Sequence, residues 1–146
     1  MTYSSGIIPY RFRAGGEIEF FVGHPGGPFW KDKEYWALLK GRRNNEESGE
    51  SCATREFQEE SGITLTEEEK KRIWYVGFVK QRKDKIVSAY ALEKPDINPE
   101  ECHSNMADGC DWPEVDKYAW MTLEEIQVKT HPTNIFFYKR IDECSR

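Results

Sequence analysis

The sequence predicts an α+β protein, a mixed α/β/α sandwich, and three observations lead there. Apolar runs of strand length open the chain, an amphipathic helix interrupts them near the middle, and three more strands precede a helical C-terminal end. Segregated elements of this kind argue against a doubly wound parallel sheet. The length of 146 residues is that of one domain, expected to span 1–146. No internal repeat or low-complexity tract interrupts it.

Ser5–Arg13, with Ile7, Ile8, Tyr10 and Phe12, reads as a strand. Gly15-Gly16 turns it toward a hairpin partner over Ile18–Val22. His24–Phe29 (H-P-G-G-P-F) reads as irregular, since two prolines and two glycines break both periods. Tyr35–Leu39 is expected as a short strand and Gly41–Glu47 as a polar loop. A helix follows over Gly49–Ser61, with Ser48 as N-cap, Glu50 in its first turn and Gly62 as the residue that ends it. Trp74–Val79 and Ile86–Leu92 are strands joined by the charged turn Arg82-Lys83-Asp84-Lys85. Glu93–Asp116 has no periodicity, which in a small domain marks a functional loop or a hidden element. Lys117–Met121 is a last strand. Thr122-Leu123-Glu124-Glu125 is a capping box opening a short helix, and Thr133–Glu143 closes the chain as an amphipathic helix.

Composition narrows the function classes. Asp and Glu number 26 against 21 Lys and Arg, a net charge of −5, so a broad basic nucleic-acid surface is not expected, although a local basic pocket is compatible with it. No apolar run approaches the ~20 residues needed to cross a bilayer, and the first residues lack the basic and apolar regions of a secretion signal. A cytoplasmic protein without membrane partners is therefore expected, as a monomer or homodimer. The four cysteines include no C-x-x-C pair. Cys102-His103 with Cys110 does not match the spacing of structural zinc sites, and reduced, incidental thiols are the expectation.

The chemistry-bearing residues lie in the central helix. At about 100° per residue, Glu59 and Glu60 fall on either side of Glu56, and the three carboxylates share a face roughly 100° wide. Such like charges repel, unless a hard divalent cation such as Mg²⁺ or Mn²⁺ joins them. Three glutamates alone would equally suit a solvated helix face. The wider segment Gly41–Ile63 reads G-x5-E-x7-R-E-U-x-E-E-x-G-U, with Phe57 and Ile63 as the apolar U positions. Its seven fixed letters arise by chance on the order of once in 10⁷ chains of this length. In this segment the sequence resembles the Nudix hydrolase family, whose box it matches at every fixed position. The stretch from Ser5 through His24-Pro25-Gly26-Gly27-Pro28-Phe29-Trp30 to Lys40-Gly41 is similar to a bacterial branch of nucleotide pyrophosphohydrolases.

The resemblance implies the Nudix fold, a mixed β-sheet between helices. It also implies an Mg²⁺- or Mn²⁺-dependent hydrolase of a nucleoside diphosphate linked to another moiety, with a small nucleotide as substrate. Glu56 and Glu60 would be the principal metal ligands and Glu59 a further ligand or the general base. The carbonyl of Lys40 or Gly41 would add a neutral ligand, Arg55 would orient the carboxylates, and Glu47 would support the site. Glu114 is the candidate for a further acid from the loop before the last strand. Lys40, Arg42 and Arg43 are candidates for the distal phosphates, the alternative being an ordinary basic patch. Glu46 and Leu39 depart from the Gly and Pro usual at those positions. Cys52 reads as a small packed side chain.

Substrate choice lies outside the box. Val79, Lys80 and Gln81 stand where one dinucleoside polyphosphate group carries a tyrosine, and the marks of ADP-ribose and NADH enzymes are missing. Dinucleoside polyphosphates or nucleoside triphosphates are favoured. A non-catalytic nucleotide sensor would be expected to have lost box carboxylates, and an RNA 5′-end pyrophosphohydrolase would want a basic groove. Trp30, Tyr35, Trp36 and Tyr138 are candidates to stack a base, or else core residues and loop anchors. His24 is a substrate contact or a satisfied loop histidine.

Overall fold

The computed structural model describes residues 1–146. The elements are β1 (Thr2–Phe12), β2 (Ile18–Pro25), β3 (Leu39–Arg42), α1 (Gly49–Ser61), α2 (Glu67–Lys71), β4 (Trp74–Arg82), β5 (Lys85–Glu93), β6 (Val115–Thr122), α3 (Leu123–Gln127) and α4 (Ile135–Cys144). The strands form one mixed sheet in the order β4-β5-β1-β2-β6, with β3 also on β1.

Strand β1 organises it. One edge runs parallel to β5, from Thr2 opposite Lys85 to Tyr10 opposite Glu93. The other edge is divided, Ser4–Ile7 taking β3 and Tyr10–Phe12 taking β2. Alternation along the strands sends Ile7 and Phe21 to one face and Ile8, Phe20 and Val22 to the other. The first face packs with Ala53 and Phe57 of α1. The second packs with Ile126 of α3 and Phe137, Tyr138 and Ile141 of α4. The expected sandwich is thus the observed one.

Several boundaries differ from the sequence reading. Strand β2 continues through His24 and Pro25, because β6 continues to pair with it and a register shift between these residues absorbs the proline. The Tyr35–Leu39 strand is displaced: Ala37 makes only an isolated bridge to Gly23, and β3 begins at Leu39 and runs through Gly41, where a loop was expected. Helix α2 was not anticipated, although Thr66 and Glu69 form a full capping box. It buries no residue and so has no apolar period to read. The C-terminal helix starts at Ile135, after a 3₁₀ turn at Pro132–Asn134.

Candidate active site

Helix α1 is fixed at both ends and along one side. The Ser48 side chain accepts from the Ser51 N–H, and Gly62, at φ 78°, closes the C-terminus through its N–H to the Gln58 carbonyl. Phe57 packs edge-on against Phe21, ring centroids 6.4 Å apart. The Tyr118 hydroxyl donates to the Glu60 carbonyl at 2.5 Å, tying the last turn to β6. With its apolar side docked, the helix turns Arg55, Glu56, Glu59 and Glu60 toward β3 and the loop preceding β6.

Arg55 is the hub of these groups. Its Nε and Nη2 donate to the two Glu47 carboxylate oxygens at 2.8 and 3.0 Å, and Nη1 donates to Glu56 at 2.8 Å. Nη1 also reaches Glu59 at 3.3 Å, and Nη2 the Arg42 carbonyl at 3.1 Å. The guanidinium therefore holds Glu47 well below the usual carboxylate range. Glu59 is the most exposed of its acidic partners.

Glu60 lies deeper, at 6% exposure, where a position facing solvent would follow from an amphipathic wheel. Burial, with Glu56 and Glu114 alongside, pushes its carboxyl up to about 10. Burial and Glu56 also raise Glu114, so the loop acid stands within the field of the helix carboxylates. Lys40 is pushed down to about 8, first by burial and then by Lys85. Lys40, Glu60 and Glu114 line a cavity of about 420 Å³, whose wall includes Trp30, Tyr35, Arg82, Lys85 and His131.

A hard divalent cation suits this donor set, which consists of oxygens only: the carboxylates of Glu56, Glu59, Glu60 and Glu114, and the carbonyl of Gly41. The buried Glu60 carboxyl, raised by burial and by the neighbouring Glu56 and Glu114, is a site where added positive charge relieves repulsion. No three acidic, histidine or cysteine side chains are closed into a compact ligand set, and Arg55 holds Glu47 and Glu56. Gly41 brings the backbone close to them, and a Cβ there would run into the Glu56 carboxyl. That carboxyl is the far end of a flexible chain, so Gly41→Ala is expected to fold with a near-normal melting temperature while displacing Glu56. Turnover should drop by about 10²-fold, and a steady-state assay paired with a thermal melt would check it. The Cys52 thiol is fully buried and raised by burial and by Glu47, which makes it packing and not a nucleophile.

The long segment before β6 wraps the C-terminal end of α1. His103 N–H donates to the Ser61 carbonyl at 3.1 Å and Asn105 N–H to that of Glu59 at 2.8 Å, while Glu114 N–H bonds Asn105 at 3.0 Å. These bonds bring Glu114 to the cavity. His24 is buried and satisfied, Nδ1 on Asp116 at 2.7 Å and Nε2 on the Lys33 carbonyl at 2.8 Å. It pins the loop that carries Trp30 and Tyr35, whose rings stack at 4.8 Å.

Among the other aromatic candidates, Trp36 and Tyr138 belong to the core, Tyr138 edge-on to Phe20 at 5.0 Å. Arg42 and Arg43 lie outside the 420 Å³ cavity, along a neighbouring groove. Sequence reasoning missed Arg82, Lys85 and His131. The Arg82–Lys85 turn looked like an ordinary charged hairpin tip. Only the parallel pairing of β5 with β1, which sets Lys85 against Thr2, carries it to the site.

The sequence profile described as the NUDIX domain matches residues 7–141 of the chain. No curated protein sequence matches it closely. Among solved structures, a MutT/nudix family protein from Enterococcus faecalis is similar at 17% identity and a TM-score of 0.61, covering 83% of this chain but 43% of that one. This chain thus spans under half the length of that relative. A C. elegans Ap4A hydrolase binary complex is similar at 23% identity over 88% of this chain and 85% of that chain, with a TM-score of 0.61. The NUDIX domain of Shewanella oneidensis NrtR, complexed with ADP ribose, matches at 13% identity over 99% and 88%, with a TM-score of 0.67. At these identities the likeness is one of fold.

Proposed function

We propose that this chain, which belongs to the NUDIX domain family, acts over residues 1–146 as one pyrophosphohydrolase domain, cleaving the pyrophosphate linkage of a nucleoside diphosphate joined to another moiety with Mg²⁺ or Mn²⁺ as cofactor. One observation carries this: Arg55, anchored on Glu47, holds Glu56 and Glu59 beside Glu60, which lines a cavity together with Lys40 and Glu114. A dinucleoside polyphosphate or a nucleoside triphosphate is the favoured substrate, in keeping with the likeness to an Ap4A hydrolase.

Glu56 and Glu60, joined by Glu59, Glu114 and the Gly41 carbonyl, would hold the divalent ions. When bound, these neutralise phosphate charge and lower the pKa of the attacking water. Glu59, the more exposed carboxylate with only long contacts to Arg55, takes the proton as water attacks phosphorus and the bridging P–O bond breaks. Arg55 and Glu47 keep Glu56 in place through that step. Lys40 meets phosphate oxygens, and Trp30 and Tyr35 provide a face for a base. No helix is long and apolar enough to cross a membrane; a small nucleotide is the size of ligand this cavity takes, and the cytoplasm is the compartment we propose.

A hydrolysis panel with Mg²⁺ and Mn²⁺, its nucleotide and pyrophosphate products read by chromatography, tests the proposal: NTPs, dinucleoside polyphosphates, ADP-ribose, nucleotide sugars and capped RNA, with Glu59→Gln as the blank. One preferred substrate whose turnover is lost in the blank is the expected outcome. Silence across the panel with nucleotide binding intact would move the protein to the sensor class.

A further inference from the structure

The cavity beside Lys40 shares wall residues with a neighbouring cleft, and that cleft with a further concavity. Arg82 and Lys85 of its wall also line a small polar cleft with Thr2, Ser4 and Arg42. Thr2 and Arg42 in turn line a wider concavity of about 520 Å³ with Tyr3, Arg43, Asn44 and Asn45, and with Glu46 and the Arg55-paired Glu47. Lys40, Lys85, Arg82 and Arg42 thus follow one another between the two ends. Of these four, only Arg82 has a carboxylate in ion-pair reach, the exposed Asp84 at 3.3 Å. Each end carries an aromatic face. At one, Trp30 stacks on Tyr35. At the other, Tyr3 is 45% exposed with the Arg43 guanidinium 5.2 Å from its ring centroid, and the Arg43 N–H donates to the Tyr3 carbonyl at 2.9 Å.

A single nucleotide seated against Trp30 and Tyr35 would leave the Tyr3 end idle and most of the cations unpaired. We propose that Tyr3 and Arg43 form a second base-binding subsite, and that the molecule this groove takes is two nucleosides joined by a polyphosphate. One base lies on the Trp30–Tyr35 pair, the phosphates run along the cations past Glu60, and the second base stacks on Tyr3. Asn44 and Asn45 offer amide groups to its edge. This rests on the hydrolytic reading of the carboxylate cluster, and names the substrate class within it.

Calorimetry with Mn²⁺ present, using a methylene-bridged dinucleoside tetraphosphate and a methylene-bridged nucleoside tetraphosphate as probes, reads the subsite without turnover. The wild type should bind the two-base probe at least ~10-fold more tightly. Tyr3→Ala and Arg43→Gln should each remove most of that preference and leave affinity for the one-base probe unchanged. Absence of the preference in the wild type, its survival in both variants, an equal loss for both probes, or failure to bind either would overturn the subsite. A wild type that keeps the preference yet yields no mononucleotide products from the hydrolysable compound would sink the hydrolytic reading and leave the subsite standing.

Discussion

Glu60→Gln should turn over substrate roughly 10²–10⁴-fold more slowly than the wild type, the loss of several kcal/mol of metal-borne transition-state stabilisation. In metal-free buffer at neutral pH it should nevertheless melt at a higher temperature. The sign follows from where the proton sits. Burial and the neighbouring Glu56 and Glu114 raise the folded-state carboxyl to about 10. The unfolded chain releases that proton near pH 4–5. Between these limits the folded state binds more protons than the unfolded one, so wild-type stability falls as pH rises. The amide removes that slope and is worth about 1–3 kcal/mol at pH 7–8, since part of the shift is shared with Glu56 and offset by Lys40. Below pH 4 the two proteins should converge. Millimolar Mg²⁺ or Mn²⁺ should reverse the order by stabilising the wild type alone, by about 2.7 kcal/mol at a hundred times the dissociation constant. Melts at pH 5 and pH 8, with EDTA and with metal, would check it. A variant less stable than wild type at pH 8 without metal would show that Glu60 is not held against repulsion.

That Glu60 is buried could not be read from a helical wheel, which places it at the edge of the polar face. Its depth comes from contacts distant in sequence: Tyr118 of β6 on the Glu60 carbonyl, and the 103–114 segment folded over the helix end. Features with local causes were legible. Ser48 and Gly62 bound α1 because a hydroxyl cap and a left-handed glycine act within one turn. The sandwich was legible because period-2 burial in β1 and β2 and a helical stripe in α1 are properties of single elements. Strand β3 was not, because β1 chooses which backbone to pair, and it takes Lys40 and Gly41 in preference to the more apolar Tyr35–Leu38. The turn Arg82–Lys85 failed for the same kind of reason. Its place beside Lys40 depends on β5 running parallel to β1, a non-local pairing that no charge pattern announces.

Arg55→Lys is the second large effect expected, and it separates charge from geometry. The guanidinium spans Glu47 with two nitrogens, reaches Glu56 and Glu59 with Nη1, and donates to the Arg42 carbonyl. An ammonium keeps the positive charge but is a single point with three donors, and it cannot bridge Glu47 and Glu56 in one plane. Glu56 would lose its fixed rotamer, and a displacement of about 1 Å at a reacting centre costs on the order of 10²-fold in rate. The fall should appear in kcat with KM little changed, because Arg55 lies outside the residues that line the cavity and holds a carboxylate in place. Stability should drop by only about 1 kcal/mol, since Arg55 is 30% exposed and solvent screens the lost pairs. Glu47, no longer held so low, should titrate nearer its ordinary range. The variant's acid unfolding should therefore begin at a higher pH than that of the wild type, whose Arg55–Glu47 contribution is lost only as pH falls toward about 2. Steady-state kinetics with an acid titration of stability would decide it: equal kcat in both proteins would reduce Arg55 to a surface ion pair, whereas a rise confined to KM would make it a phosphate-binding group.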